Sequence, residues 1–204
     1  LAQTQVGYAE KDNAAALDSF SVVGSSNYTK YARDVNAIGL PGCQGQPWCG
    51  EYQFWLDLTA FDKDTALANL GPKFYNCFAT MNWAKEQGRW LPSSGTPKPG
   101  YRVIFSQSHI ALVTRVTSTK IYTNEGNTSD GSGVNRDGGR VCNKSYDRSY
   151  SKILGYVMVE YPEEDLTTYL IGTGATGLTV TANSLNIRKT PGTSGIPTGQ
   201  TYKK

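Results

Sequence analysis

The chain has 204 residues, 38% of them hydrophobic, and a net charge of +3 from 20 basic and 17 acidic side chains. That length and content support one well-buried domain plus a remnant of a second and place the chain among folded proteins. The charges are dispersed, which argues against a nucleic-acid arm, and no stretch reaches the roughly 20 apolar residues of a membrane-spanning helix. The opening Leu1-Ala2-Gln3-Thr4 carries no charged-then-apolar signal region.

In chain order, residues 1–37 read as helical pieces around Val6, Tyr8, Ala14 and Tyr28-Thr29-Lys30-Tyr31, broken at Gly24-Ser25-Ser26-Asn27 into a wrap-around layer. After the glycine-rich turn 39–45, Pro47 is predicted at the first position of a helix, where its missing N–H is harmless. Trp48, Tyr52, Trp55 and Leu56 follow at i, i+4, i+7 and i+8 and give that helix one buried face. Further helices are expected at 67–70 and 77–86, ended by Gly88 and a Pro/Ser/Gly loop over 92–100 that has Trp90 beside it. The period then changes to two. Residues 103–105, 109–116, 121–128 and 153–161 are predicted strands, so helices precede an antiparallel sheet in an α+β domain. Composition shifts near Pro162, residues 163–177 read as a flexible small-residue linker, and only 178–204 remain.

Chemistry is concentrated in few residues. The chain has one histidine, His109, and a cysteine, Cys49, predicted in the first turn of a helix. There the helix dipole and unpaired amides favour a thiolate. Glu125 and Asn127 lie two apart on a predicted strand and are expected to face the same way, one to orient the imidazole and the other to support the site. A thiolate nucleophile, a base and an orienting group form the logic of covalent acyl transfer. The other cysteines, Cys43, Cys77 and Cys142, lack the CxxC pairs of zinc or redox sites and read as buried small hydrophobes, with a disulfide among them as the alternative.

Tyr28-Thr29-Lys30-Tyr31, Pro47-Trp48-Cys49-Gly50-Glu51-Tyr52, Pro99-Gly100-Tyr101-Arg102-Val103-Ile104-Phe105, His109-Ile110-Ala111-Leu112-Val113 and Glu125-Gly126-Asn127-Thr128-Ser129 occur in the order of a known family. Together they resemble the CHAP amidohydrolase/peptidases, in particular the catalytic domains of phage or prophage endolysins of Gram-positive bacteria, related to the NlpC-type wall peptidases. The resemblance runs from residue 1 to about 161 and implies a papain-like/NlpC-like fold, with residues 1–162 as the catalytic domain. Leu185-Asn186-Ile187-Arg188 and Pro191-Gly192-Thr193 resemble the opening of a bacterial Src-homology-3-type wall-binding domain, read as a truncated start over 178–204. The family pattern is broken at Tyr101, where an aspartate is usual, and at Asn124, where an apolar residue is usual. Asn124 is expected to present its amide to solvent or substrate.

The resemblance implies Cys49 as nucleophile, His109 as general base and acid, Glu125 as the orienting residue and Asn127 as a further polar member. The Cys49 N–H and the Gln46 side chain are oxyanion candidates, and Gln46, Trp48 and Trp90 are candidate substrate contacts. The expected substrate is peptidoglycan of Gram-positive walls, cut at an amide bond by a monomer that acts at the wall after secretion or phage lysis, without nucleic acid or membrane insertion. The alternatives are an inactive wall-binding module and a cysteine protease acting on proteins. No cofactor is expected. Asp12, Asp18, Asp57, Asp62 and Asp64 invite calcium, but their spacing misses the EF-hand pattern and reads as a solvated acidic face.

Overall fold

Helices come first and strands second, as the change of period requires: α1 (Lys30–Ala37), α2 (Cys49–Ala60), α3 (Lys63–Leu70), α4 (Cys77–Glu86), β1 (Trp90–Pro92), β2 (Arg102–Phe105), β3 (His109–Val116), β4 (Lys120–Thr128), β5 (Arg140–Asp147) and β6 (Ile153–Val157). The computed structural model describes residues 1–161, which form one compact unit. The linker expected at 163–177 and the wall-binding segment expected at 178–204 lie outside the described residues. The strands form one antiparallel sheet in the order β1-β6-β2-β3-β4-β5. The architecture is α+β of the papain-like type, with helices packed on that sheet.

Local chemistry explains the helix starts. Thr29 accepts from Ala32 N–H to cap α1, Asp62 accepts from Thr65 N–H to cap α3, and Asn76 accepts from Phe78 and Ala79 N–H to cap α4. The Asp62 cap starts α3 four residues before the hydrophobic pattern of 67–70 becomes visible. Pro47 is not the first helical residue; Trp48 occupies the N-cap and Cys49 opens α2. Every residue from Cys49 to Asp57 is buried. The single buried face expected for α2 is therefore closed all round, by α1, α3, β3 and β4. Gly50 and Gly126 permit this: a Cβ on Gly50 would stand 2.2 Å from the Phe74 carbonyl oxygen, and one on Gly126 would stand 2.7 Å from Tyr52.

Two strands escape a reading by period. β1 is three residues long with a proline, which suits only an edge. β5 buries Val141, Cys142 and Tyr146 among polar neighbours, so its apolar alternation is broken. The first residues form two short 3-10 turns, Ala2–Gln5 and Ala14–Ala16, rather than longer helices. Between these turns the chain runs along the free edge of β5: Gly7 N–H donates to the Val141 carbonyl, Val141 N–H donates to that of Tyr8, and Ala9 bridges Arg140. An exposed sheet edge is thereby covered.

Phe54, Leu70, Phe74, Ile104, Ile110 and Val157 form the core between helices and sheet, while Val103, Phe105, Ala111, Val113 and Tyr156 form a second cluster, following the strand alternation. Tyr8, Tyr31, Trp48, Tyr52 and Trp55 make a third, aromatic cluster. A buried ion pair ties α2 to β2: Arg102 Nη2 lies 2.5 Å from Asp57 Oδ1, and Arg102 also donates to Tyr161 Oη at 2.9 Å and to the Gly100 carbonyl. Asp57 accepts a further bond from Asn69 at 3.2 Å. It is therefore an anchor inside the domain, not part of a solvated acidic face.

Candidate active site

The start of α2 meets the start of β3. The first intrahelical bond of α2 runs from Tyr52 N–H to the Trp48 carbonyl, so the N–H groups of Cys49, Gly50 and Glu51 precede the helical ladder. His109 follows the three-residue turn Ser106-Gln107-Ser108, which reverses the chain from β2 into β3, and Ser108 adopts the left-handed conformation at φ 57°. A left-handed third residue closes this hairpin type, and a serine there bears strain that glycine would avoid. Of the three non-glycine residues with positive φ among the described residues, Ser108 precedes the histidine, Asn127 follows Glu125 by two, and Asn27 is hydrogen-bonded to Asn127. The strained backbone therefore gathers around one place.

His109 and Glu125 are fully buried, and His109 Nε2 lies 2.9 Å from Glu125 Oε2. Thr123, two residues before Glu125 on β4, donates to Glu125 Oε1 at 2.5 Å and fixes its other oxygen. The remaining imidazole nitrogen, Nδ1, has no hydrogen-bond partner in the protein. Cys49 is buried and interacts with the His109 ring, and its sulfur lies 3.7 Å from that of Cys77, the first residue of α4.

Charge is distributed unequally over this group. The Cys77 thiol is the largest influence holding Cys49 well below the ordinary thiol range; the His109 ring and the Ile110 N–H act in the same direction and together outweigh burial. Cys77 moves the other way, well above that range, because it is the hydrogen-bond donor to Cys49 and is itself buried. Burial opposes protonation of His109, yet Cys49 and Glu125 more than offset it and push the imidazole up to about 9. Both shifts favour the thiolate–imidazolium form of the pair over the neutral one.

Glu51, one turn into α2, accepts from Cys43 N–H at 2.7 Å and so fastens the loop before the helix. Burial pushes its carboxyl up to about 7; the Cys43 N–H opposes this and the Cys49 charge adds to it. Because the folded value stands above the ordinary 4.5, the stability Glu51 contributes is full below that pH and is lost as pH rises through 7. Glu51→Gln keeps an acceptor for Cys43 and cannot ionise. Its unfolding free energy is expected to exceed the parent's at pH 8 by up to about 3 kcal/mol and to converge with it near pH 4.5. Urea denaturation at both pH values measures this, and a gap of equal size at both would sink the account.

The other expected site residues divide. Gln46 lines the cleft that opens onto Cys49. Asn127 does not share the face of Glu125, because a bulge shifts the β4–β5 register between Glu125 and Thr128. Its side chain accepts from Gly139 N–H at 3.1 Å and donates to Asn27 at 3.3 Å, so it braces the loops around the site. Trp48 is fully buried and donates its indole N–H to Glu10 at 2.9 Å, which leaves no face for substrate. Trp90 belongs to β1, not to the loop, and packs on Gly155 and the helix-side core away from the cleft lining. Asn124 is likewise not presented outward: it is buried, accepts from Tyr52 Oη at 2.6 Å and donates to Asn143 at 3.0 Å. Tyr101 packs against both sheet clusters, an apolar contribution in place of a carboxylate.

Four of the five aspartates considered for calcium have other partners: Asp57 holds Arg102, Asp18 holds Arg33, Asp12 accepts from Ser25 N–H and Asp62 from Thr65 N–H. Among the described residues no group of three or more His, Cys, Asp or Glu is placed to hold a metal ion. All four cysteines are free thiols.

An open cleft of about 290 Å³ leads to Cys49 and is lined by Cys43, Gln46, Pro47, Tyr75, Asn76, Cys77, Ser108 and Arg136. Arg136 is the one basic side chain among the described residues of that lining. Neither Cys77 nor Arg136 stands out in the sequence as a site residue. The visible hint for Cys77 is that, like Cys49, it opens a predicted helix.

A cysteine thiolate at a helix start, an imidazole beside it and a carboxylate behind the imidazole, carried on a papain-like α+β fold, define a cysteine hydrolase type of site. Residues 42–127 match the family model of the CHAP domain, whose members are cysteine- and histidine-dependent amidohydrolases and peptidases. The matched segment contains Cys49, His109 and Glu125, and it points to peptidoglycan as substrate and the cell wall as the place of action. No curated protein and no solved structure gives a significant match to the chain. Among the described residues no helix is long and apolar enough to cross a membrane.

Proposed function

We propose that the protein is a peptidoglycan hydrolase of the endolysin type that cuts an amide bond in Gram-positive walls through a thioester intermediate on Cys49. The observation that carries this reading is the buried chain Glu125–His109–Cys49 at the start of α2, with His109 Nε2 committed to Glu125. The thiolate attacks the substrate carbonyl carbon, and the resulting oxyanion is met by the Cys49 N–H ahead of the helical ladder and by the Gln46 amide. His109 gives its proton to the leaving amine; it then takes one from water, which attacks the thioester and frees Cys49. Glu125 keeps the imidazole in one orientation throughout. Asn127 acts through the loops it braces. Residues 178–204 are read as the start of the wall-binding domain that would hold the enzyme on its substrate.

Digestion of purified Gram-positive walls tests this. New amino groups and fragments of defined mass are expected, and the fragment masses tell a muramoyl-alanine amide from a stem-peptide or cross-bridge bond. Turnover of casein with intact muropeptides would instead select a protease, and binding to walls without new amines would select an inactive module.

Arg136 gives the cleft a preference for carboxylates, which the stem peptides of peptidoglycan carry. Arg136→Gln is expected to raise KM on stem peptides with free carboxylates about fivefold, the worth of an exposed charge pair near 1 kcal/mol, with kcat little changed. On stem peptides whose carboxylates are amidated the variant and parent are expected to match. Equal losses on both substrates would remove Arg136 from recognition.

A further inference from the structure

Cys49 and Cys77 each open a helix, and the two helix starts converge so that their sulfurs stand 3.7 Å apart at the floor of one open cleft. The usual mechanism of a cysteine hydrolase needs one thiol. We propose that Cys77 is a resolving cysteine: a peroxide oxidises Cys49, and Cys77 closes a Cys49–Cys77 disulfide that shuts the enzyme off reversibly. The proposal rests on Cys49 being the nucleophile of the hydrolysis reaction.

The geometry favours this pair over the third thiol in the cleft. A disulfide brings sulfurs to about 2.0 Å, so the two need approach by only roughly 1.7 Å, within the reach of side-chain rotation at two helix ends. Cys43 also lines the cleft, but its thiol is turned to the Pro41 carbonyl at 3.7 Å. The chemistry balances in two steps. The Cys49 thiolate attacks one oxygen of hydrogen peroxide, giving a sulfenic acid and hydroxide; sulfur is oxidised by two electrons and peroxide reduced by two. The Cys77 sulfur then attacks the sulfenic sulfur, the S–S bond forms, and the departing hydroxide takes the Cys77 proton and leaves as water. The order of events is built in. While Cys49 is a thiolate its charge keeps Cys77 protonated. Once Cys49 is a neutral sulfenic acid that restraint is gone; burial still opposes ionisation of Cys77 while Arg136 favours it, so the proton leaves with the departing hydroxide as the S–S bond forms.

The test uses the full reduced chain treated with a small excess of hydrogen peroxide, then capped with N-ethylmaleimide and digested without reductant. The expected product is a cross-linked pair of peptides containing Cys49 and Cys77, with loss of wall hydrolysis that dithiothreitol restores. In Cys77→Ala and Cys77→Ser, each compared with its own reduced activity, Cys49 is expected to pass to sulfinic acid and the loss to resist dithiothreitol. A Cys43–Cys49 link, or Cys49 going to sulfinic acid in the parent with no link, overturns the proposal. The cross-link is read by mass, so it is scored even if the reduced protein releases no amines from walls; that result would count against the hydrolase reading alone.

Discussion

Cys49→Ala is expected to abolish the release of amino groups from Gram-positive walls while leaving the fold intact. Two features place both halves of that expectation in one residue. The sulfur is the only atom the hydrolysis uses from this side chain, and a catalytic unit that loses its nucleophile falls by several orders of magnitude, roughly 10⁶-fold in a comparable triad. Alanine is also a good helix former at the first position of α2, and the change removes a single buried atom at the border of the cleft, so the rest of the core stays in place. Far-ultraviolet circular dichroism and urea melting check the fold, and an amine assay on walls checks the activity. If the alanine variant releases amines as the parent does, Cys49 is not the nucleophile.

The largest expected loss of stability lies one helix length away. Asp57→Ala leaves the Arg102 guanidinium, 1% exposed, without its charge partner between α2 and β2. Breaking a buried pair on one side costs about 3–5 kcal/mol, a large share of a typical domain's stability. Urea denaturation of the full chain measures it, and a loss under about 1 kcal/mol would mean that water or a neighbour compensates the arginine. A second variant separates the charge from the volume: Asp57→Leu combined with Arg102→Met removes both charges and is expected to recover most of the loss. The catalytic residues are untouched in both, so any fall in activity reports the orientation of α2 against β2.

The parts of this protein that follow from local rules were legible in its sequence. The helix expected at 77–86 is α4 to both of its ends, and the strand expected at 109–116 is β3 to both of its ends. The scarcity of histidine and the helix-opening position of Cys49 were enough to nominate the reacting pair, and Glu125 followed from a strand ending near them. What failed depended on register or on distant contacts. A bulge after Glu125 turned Asn127 off the expected face. Trp48 looks like a substrate platform beside the nucleophile, yet its indole N–H is held by Glu10, 38 positions earlier in the chain. Cys77 enters the cleft because two helix starts converge and Arg136 because a distant loop folds back, and no period records either.

The burial of α2 on every side from Cys49 to Asp57 also divides the protein between parts that can vary and parts that cannot. From Gly50 to Asp57 a change of side chain meets a packed neighbour, so the helix that carries the reacting group is locked to the core. The cleft rim is built differently: Tyr75 and Arg136 sit on a turn and a loop that carry little of the packing. Substrate preference can therefore drift, or be engineered, by exchanging short rim segments while the reaction itself stays fixed.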